Sequence, residues 1–167
     1  MRPLRALVAL VLSLAVQAAV GRWIPASHRY LDVLLLPVLW YALSLSQRSA
    51  MLAGLAAGTL QDAWFQTGVF GIGGFSKTLL GWALGGLGAR FELNRMWGWL
   101  SAGVLTTLAD RLLQAGLLRL LDQEPGRLQA AELGLRSAIT GLLATLVFAM
   151  LNRARGRHAA RPPRRRS

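Results

Sequence analysis

The chain contains no cysteine, which excludes disulfides and any thiolate metal site. Histidine is nearly absent: His28 and His158 fall in a loop and in the C-terminal tail, too far from any acid cluster to suggest a metal centre. Acids are scarce, seven against nineteen basic residues. Catalytic patterns are missing too. There is no nucleophile elbow, no zinc-binding histidine pair at helical spacing and no phosphate-binding loop. The glycines of GVFGIGG, residues 68–74, follow nothing that reads as a strand, so they suit a tight turn between helices better than a nucleotide site. No cofactor, no metal and no enzymatic activity are expected.

What is present is apolar. Of 167 residues, 54% are hydrophobic and only 16% charged, so a soluble domain with distinct polar faces is a poor fit. Long apolar runs follow one another with little between them, the pattern of a polytopic membrane protein. The expectation is an all-α fold of six transmembrane helices over residues 1–151 and a basic, disordered cytoplasmic tail over 152–167.

The first span covers about residues 4–20 and is preceded by Arg2 and Arg5. A cleavable signal peptide is the alternative, because Ala18 and Ala19 follow, but everything downstream is equally apolar. A loop with Gly21, Arg22, Pro25, His28 and Arg29 comes next, flanked by Trp23 and Tyr30 as interface anchors. The second span, 31–46, contains Pro37, which would cost about 3 kcal/mol inside a soluble helix and is tolerated in membranes. Arg48 marks a tight connection to spans three and four, 50–65 and 69–89, whose own connection is so short that a re-entrant pair is the alternative. Arg90, Glu92, Asn94 and Arg95 form the next loop. Span five, 96–121, opens with Trp97 and Trp99, carries Asp110, Arg111 and Gln114, and is long enough to tilt. An acidic-leaning loop, 122–132, leads to span six, 133–151.

Six spans put both termini on one side. That side holds Arg2, Arg5, Arg48, Arg90, Arg95 and the tail arginines, while the other holds Arg22, Arg29 and Arg127. The asymmetry predicts cytoplasmic termini. Seven arginines in the last fifteen residues are expected to enforce that topology and touch anionic lipid, with an acidic cytoplasmic partner as the lesser alternative. Because the arginines flank membrane spans, they do not require nucleic acid.

Spans three and four form a glycine-striped hairpin. Gly54, Gly58 and Asp62 recur every fourth residue, and Gly74, Lys77, Gly81, Gly85 and Gly88 are spaced by three and four, so each set shares a helix face. Such stripes let membrane helices approach closely. At 1.5 Å per residue, Asp62 and Lys77 lie roughly 18 Å from the cytoplasmic face, with Asp110 and Arg111 at about 21 Å. An unpaired charge there costs at least about 2.5 kcal/mol. The expectation is therefore a structural polar core of Asp62, Lys77, Asp110, Arg111 and Gln114, in which Asp62 pairs with Lys77. Arg111 points about 100° away from Asp110 and meets a different partner or snorkels outward. A proton relay is the alternative reading of the buried acids.

The order of elements, with Pro37, Gly54, Gly58, Asp62, Gly68, Gly71, Lys77 and Gly81 at matching places, resembles the MreD family of small membrane proteins of the bacterial cell-elongation machinery. The resemblance implies a non-enzymatic scaffold in the cell inner membrane. It would act with MreC in the complex that links MreB filaments to the RodA glycosyltransferase and its transpeptidase partner in peptidoglycan synthesis. The family's fold is similar to the six-helix substrate-binding components of ECF transporters, which supplies the alternative function: a small-molecule-binding membrane component. An extracytoplasmic partner has most to hold at the outer part of span five and the 122–132 loop.

Overall fold

The computed structural model describes residues 2–24, 30–44, 46–65, 69–90, 96–124 and 129–159. Those residues hold six helices and no strand: α1 Arg2–Trp23, α2 Leu35–Ser44, α3 Gln47–Phe65, α4 Ile72–Arg90, α5 Met96–Leu120 and α6 Ala130–Ala159. Pro25, His28, Arg29, Gly68, Glu92, Asn94, Arg95, Arg127 and the arginines from Arg161 onward lie outside the described residues.

The helix ends are written in local chemistry. Ser46 caps α3, its hydroxyl accepting the Ser49 N–H at 3.3 Å. Gly71 opens α4 with a φ of +98°, a conformation that suits glycine. At the end of α5, the Gln123 N–H returns to the Leu118 carbonyl and the Asp122 N–H to Arg119. That is a Schellman closure with Asp122 at the left-handed position, φ 53°. The helix α6 continues past Leu151 to Ala159, so residues 152–159 are helical where the sequence reading places tail.

The second expected span is shorter than its apolar run. Leu31 and Asp32 are irregular, Val33 and Leu34 form a turn, and only the ten residues of α2 are helical. Ten residues rise about 15 Å, half the hydrocarbon thickness. The turn is buried, so its backbone must be satisfied within the protein. The Leu34 N–H reaches Gln17 Oε1 on α1 at 3.4 Å, and the Leu35 and Leu36 N–H groups reach the Asp32 and Val33 carbonyls. Pro37 consequently sits in the first turn of α2, where its missing N–H has no helical acceptor to lose. The interior-proline cost anticipated from the sequence does not arise.

The hairpin of α3 and α4 is antiparallel and very close. A methyl group added at Gly54 would strike the Lys77 carbonyl, at Gly58 the Gly73 carbonyl, and at Gly81 the Ala50 carbonyl. At Gly85 it would lie 2.6 Å from Gln47 Cα, at Gly74 3.0 Å from the Thr59 methyl, and at Gly88 2.9 Å from the Ala42 carbonyl of α2. Gln47 Nε2 donates to the Trp82 carbonyl at 2.9 Å and pins the end of the hairpin. The pair α5 and α6 is closed similarly, with Gly103 against Gly141 and the Trp99 ring 5.5 Å from that of Phe148.

Apolar packing joins the two pairs at one end. Leu39 and Ala42 of α2, Ala50 and Ala53 of α3, Leu84 of α4, Trp99 and Ala102 of α5 and Ala144 of α6 form one buried cluster. Leu10 of α1 packs with Leu34, Val38 and Ala57 in a smaller one. Among the described residues, one stretch, Ala130–Met150, is long and apolar enough by composition to cross a membrane, and Val8–Trp23 is a shorter apolar helix. The remaining helices carry the small and charged residues that their contacts use. The 19 residues of α4, for instance, include six glycines, Lys77 and Arg90.

Candidate functional site

At the end of the bundle away from the apolar cluster, three helices and one turn bring charge to a single point. Lys77 on α4 is wholly buried and donates to Asp32 Oδ2 at 2.8 Å and to Asp110 Oδ2 at 3.0 Å. Arg136, six residues past the start of α6 at Ala130, donates through Nη2 to the same Asp32 oxygen at 2.9 Å. The Ser76 hydroxyl donates to Asp110 Oδ1 at 2.7 Å and Gln114 Nε2 to Asp110 Oδ2 at 2.9 Å. Two acids and two bases, each at most 2% exposed, thus cancel formally. Pairing and hydrogen bonding are what make such burial tolerable in low dielectric. Asp32 Oδ1 accepts no hydrogen bond from the described residues.

Hydroxyls line the same interior without adding unmet polar groups. Thr106 returns its hydroxyl to the Ala102 carbonyl, Thr107 to Gly103 at 2.8 Å and Thr145 to Gly141 at 2.8 Å. This i to i−4 bonding is the usual way a buried threonine is accommodated in a helix. Thr140 is the exception, buried with no partner for its hydroxyl among the described residues.

Asp62 does not pair with Lys77, contrary to the sequence expectation. Its Oδ2 accepts the N–H groups of Gly71, Gly73 and Gly74 at 2.9, 3.0 and 3.2 Å. It therefore caps the N-terminus of α4, where the helix dipole also favours a negative charge. The reason is register. Gly58 faces Gly73 and Gly54 faces Lys77, so Asp62 lies a turn beyond Gly58, level with the residues that precede α4. Eight residues of α3, about 12 Å, separate it from the level of Lys77. Equal depths for Asp62 and Lys77 require flush helix ends, whereas α4 runs past the start of α3, with Gly85 facing Gln47.

Of the five residues expected in the polar core, the structure brings Lys77, Asp110 and Gln114 together. Asp62 belongs to the cap, and Arg111 is half-buried and forms none of the ion pairs of this cluster. Asp32 and Arg136 were not anticipated. Both lie within five residues of the end of an apolar run, where a charge reads as an interface residue. The available signal was that both fall at the same end of the bundle as Lys77, with no acid besides Asp110 near enough to neutralise it. Chemically, the arrangement is a connected set of buried ion pairs. Among the described residues there is no group of three or more histidines and acids that could hold a metal ion.

The family described as rod shape-determining protein MreD matches residues 2–153. Comparison with curated proteins returns no match, and comparison with solved structures returns none. Because the family match runs over nearly the whole sequence, the chain belongs to the MreD family, membrane proteins with a role in determining rod shape.

Proposed function

We infer that this chain is a non-enzymatic scaffold of the bacterial elongation complex, a six-span protein of the inner membrane with both termini in the cytoplasm. It binds an MreC-like protein and, through the complex, supports peptidoglycan synthesis by RodA and its transpeptidase partner near MreB filaments. The observation that carries the scaffold reading is the connected, buried ion-pair set of Asp32, Lys77, Asp110 and Arg136. Its charges are spent on one another across three helices and a turn, which fixes helix register and favours a rigid body over a relay.

The distribution of side chains supports the membrane crossings. Lys77, Asp110 and Arg136 are buried inside the bundle, while Leu52 and Leu55 of α3, Phe75 and Trp82 of α4, Leu105 and Leu112 of α5, and Leu135, Leu142 and Leu146 of α6 are exposed. So much outward apolar surface is suited to lipid and unsuited to water. The 19 residues of α3 and of α4 each rise about 28 Å, close to the hydrocarbon thickness of about 30 Å. That length favours two crossings over a re-entrant pair.

Affinity purification of the tagged chain in mild detergent tests the scaffold reading. A single-span MreC-like protein should co-purify, with RodA and the transpeptidase at lower yield. Recovery of transporter ATPase subunits or a retained small molecule, without that partner, would overturn it in favour of a substrate-binding component.

A further inference from the structure

The short helix α2 is the hub of the bundle. It packs against all five other helices, α1, α3, α4, α5 and α6. Around it the neighbours follow one another: α1 meets α3, α3 meets α4, α4 meets α5 and α5 meets α6. The ring does not close. Among the described residues, α1 packs on α2 and α3 and meets neither α5 nor α6. A helix surrounded by others at interaxial distances of about 8–10 Å has room for about six neighbours. One place, about one helix diameter wide, is therefore open between α6 and α1, with α2 as its floor.

The burial pattern of α2 marks the same opening. Leu35, Pro37, Val38, Leu39, Tyr41 and Ala42 are buried, whereas Leu36, Trp40 and Leu43 are half-exposed. Spaced by four and three, these three share one face, and none of them is charged. Two levels bound the stripe. At its C-terminal end, a methyl group at Gly88 would lie 2.9 Å from the Ala42 carbonyl, so Ala42 stands level with a residue two short of Arg90, where α4 ends. At its other end the opening is shut, because Asp32, Val33, Leu34 and Leu35 are all buried. From Leu36 to Leu43 the helix rises about 10 Å.

Depth, width and charge select the occupant. A spanning helix needs about 30 Å of hydrocarbon. The opening is about 10 Å deep and lies within one leaflet of about 15 Å. An empty place of this size would forfeit the dispersion contacts of its lining. Its width accommodates a two-chain lipid, and its uncharged floor offers nothing to an acidic peptide. We propose that the opening between α1 and α6 is an intercalation site for the acyl chains of a phospholipid from the leaflet at the C-terminal end of α2, the cytoplasmic leaflet in the arrangement inferred above. The proposal rests on that membrane reading. Recognition is by chain packing over Leu36, Trp40 and Leu43, so it differs from the contact of tail arginines with anionic headgroups.

The chain lacks cysteine, so a single introduced thiol can carry a benzophenone cross-linker to a chosen place. Leu36→Cys and Leu43→Cys put it in the opening. Leu52→Cys puts it on the exposed face of α3 as a reference. The full chain is irradiated in native membranes and again after purification and washing in mild detergent, and adducts are read by intact mass. In membranes all three variants should gain the mass of a phospholipid. In detergent the Leu52 adduct should be lost, because lipid on an open face exchanges, while those at Leu36 and Leu43 persist. Leu36→Trp, which fills the opening, should abolish the detergent-stage adduct at Leu43→Cys and leave the unfolding midpoint at its wild-type value. Where Leu36→Cys fails to fold, Leu43→Cys carries the test. Loss of the phospholipid adduct from the opening in detergent overturns the proposal, and so does its persistence at Leu43 beside Leu36→Trp. A cross-link from the opening to a protein in membranes also overturns it, and assigns the place to a partner or a second copy. Absence of lipid at Leu52 in membranes overturns the membrane reading itself.

Discussion

Lys77 has two carboxylates within 3.0 Å, from a turn and from a neighbouring helix, and no exposed surface. Removing one member of such a set leaves the other buried and unpaired, which costs about 3–5 kcal/mol. Asp62 solves a different problem, satisfying three N–H groups at the start of α4. The two residues should therefore behave independently. In a double-mutant cycle read by unfolding in detergent, Lys77→Met and Asp110→Asn should couple by about 0.5–3 kcal/mol. Lys77→Met and Asp62→Asn should instead add within about 0.5 kcal/mol, and strong coupling between them would refute the register described above. Asp122 offers a separate test. It is a non-glycine residue at φ 53° in the closure of α5, where glycine carries no Cβ penalty. Asp122→Gly should raise the thermal midpoint, and a lowered midpoint would mean that the aspartate side chain contributes more than its backbone strain removes.

At the scale of elements, the glycine hairpin is held by backbone contact. At Gly58 a methyl group would meet the Gly73 carbonyl and the Gly74 Cα atom, neither of which is a flexible side-chain end. Gly58→Ala should thus separate α3 from α4 and destabilise the bundle by about 1–3 kcal/mol, the range for overpacking. At Gly116 on α5 the added methyl group meets nothing within 4 Å, so Gly116→Ala should stabilise by up to about 1 kcal/mol through helix propensity alone. Thermal or denaturant unfolding of the two variants side by side checks the contrast; equal effects would remove the distinction between packed and open glycines. The short α2 belongs to this scale too. Its entry turn carries Asp32 into the interior, and Gln17 of α1 supplies the acceptor for that turn's Leu34 N–H.

Over the whole molecule, apolar packing and the buried ion pairs occupy opposite ends. Trp99, Ala102 and Ala144 meet α2, α3 and α4 in the apolar cluster, while Asp110 and Arg136 join Lys77 and Asp32 at the other end. The hairpin of α5 and α6 is thereby fixed to the rest at two levels. The absence of cysteine makes the proposed topology directly testable, because a single introduced thiol labels without background. Gln123→Cys, in the exposed turn after α5, should react with a membrane-impermeant reagent in intact cells. Asn152→Cys, exposed on the α6 extension, should react only after permeabilisation. Labelling of both in intact cells would rule out the six-span arrangement with cytoplasmic termini.

Much of this architecture is legible in the residues taken one after another. Apolar runs announce the helices, because burial or lipid contact is the only way to satisfy them, although α2 covers only ten residues of its run and α6 continues past its own. The spacing of Gly54, Gly58, Gly81 and Gly85 fixes which faces of α3 and α4 meet, because a helix repeats its faces every three to four residues. The arginine asymmetry is likewise a property of order along the chain. The partners of the buried charges are different. Whether Lys77 meets Asp62 or Asp32 depends on how far α4 slides along α3, a shift of about eight residues, or two turns, that leaves the glycine spacing intact. That Arg136 reaches Asp32, 104 positions away, depends on α6 packing beside the α2 entry turn. The sequence by itself determined the helical class, the contact faces of α3 and α4 and the uneven distribution of arginine along the chain, since these follow from local periodicity and composition. Only the tertiary structure decided the axial register and hence the ion pairs, because a salt bridge requires its atoms within a few ångströms and no periodicity sets that distance.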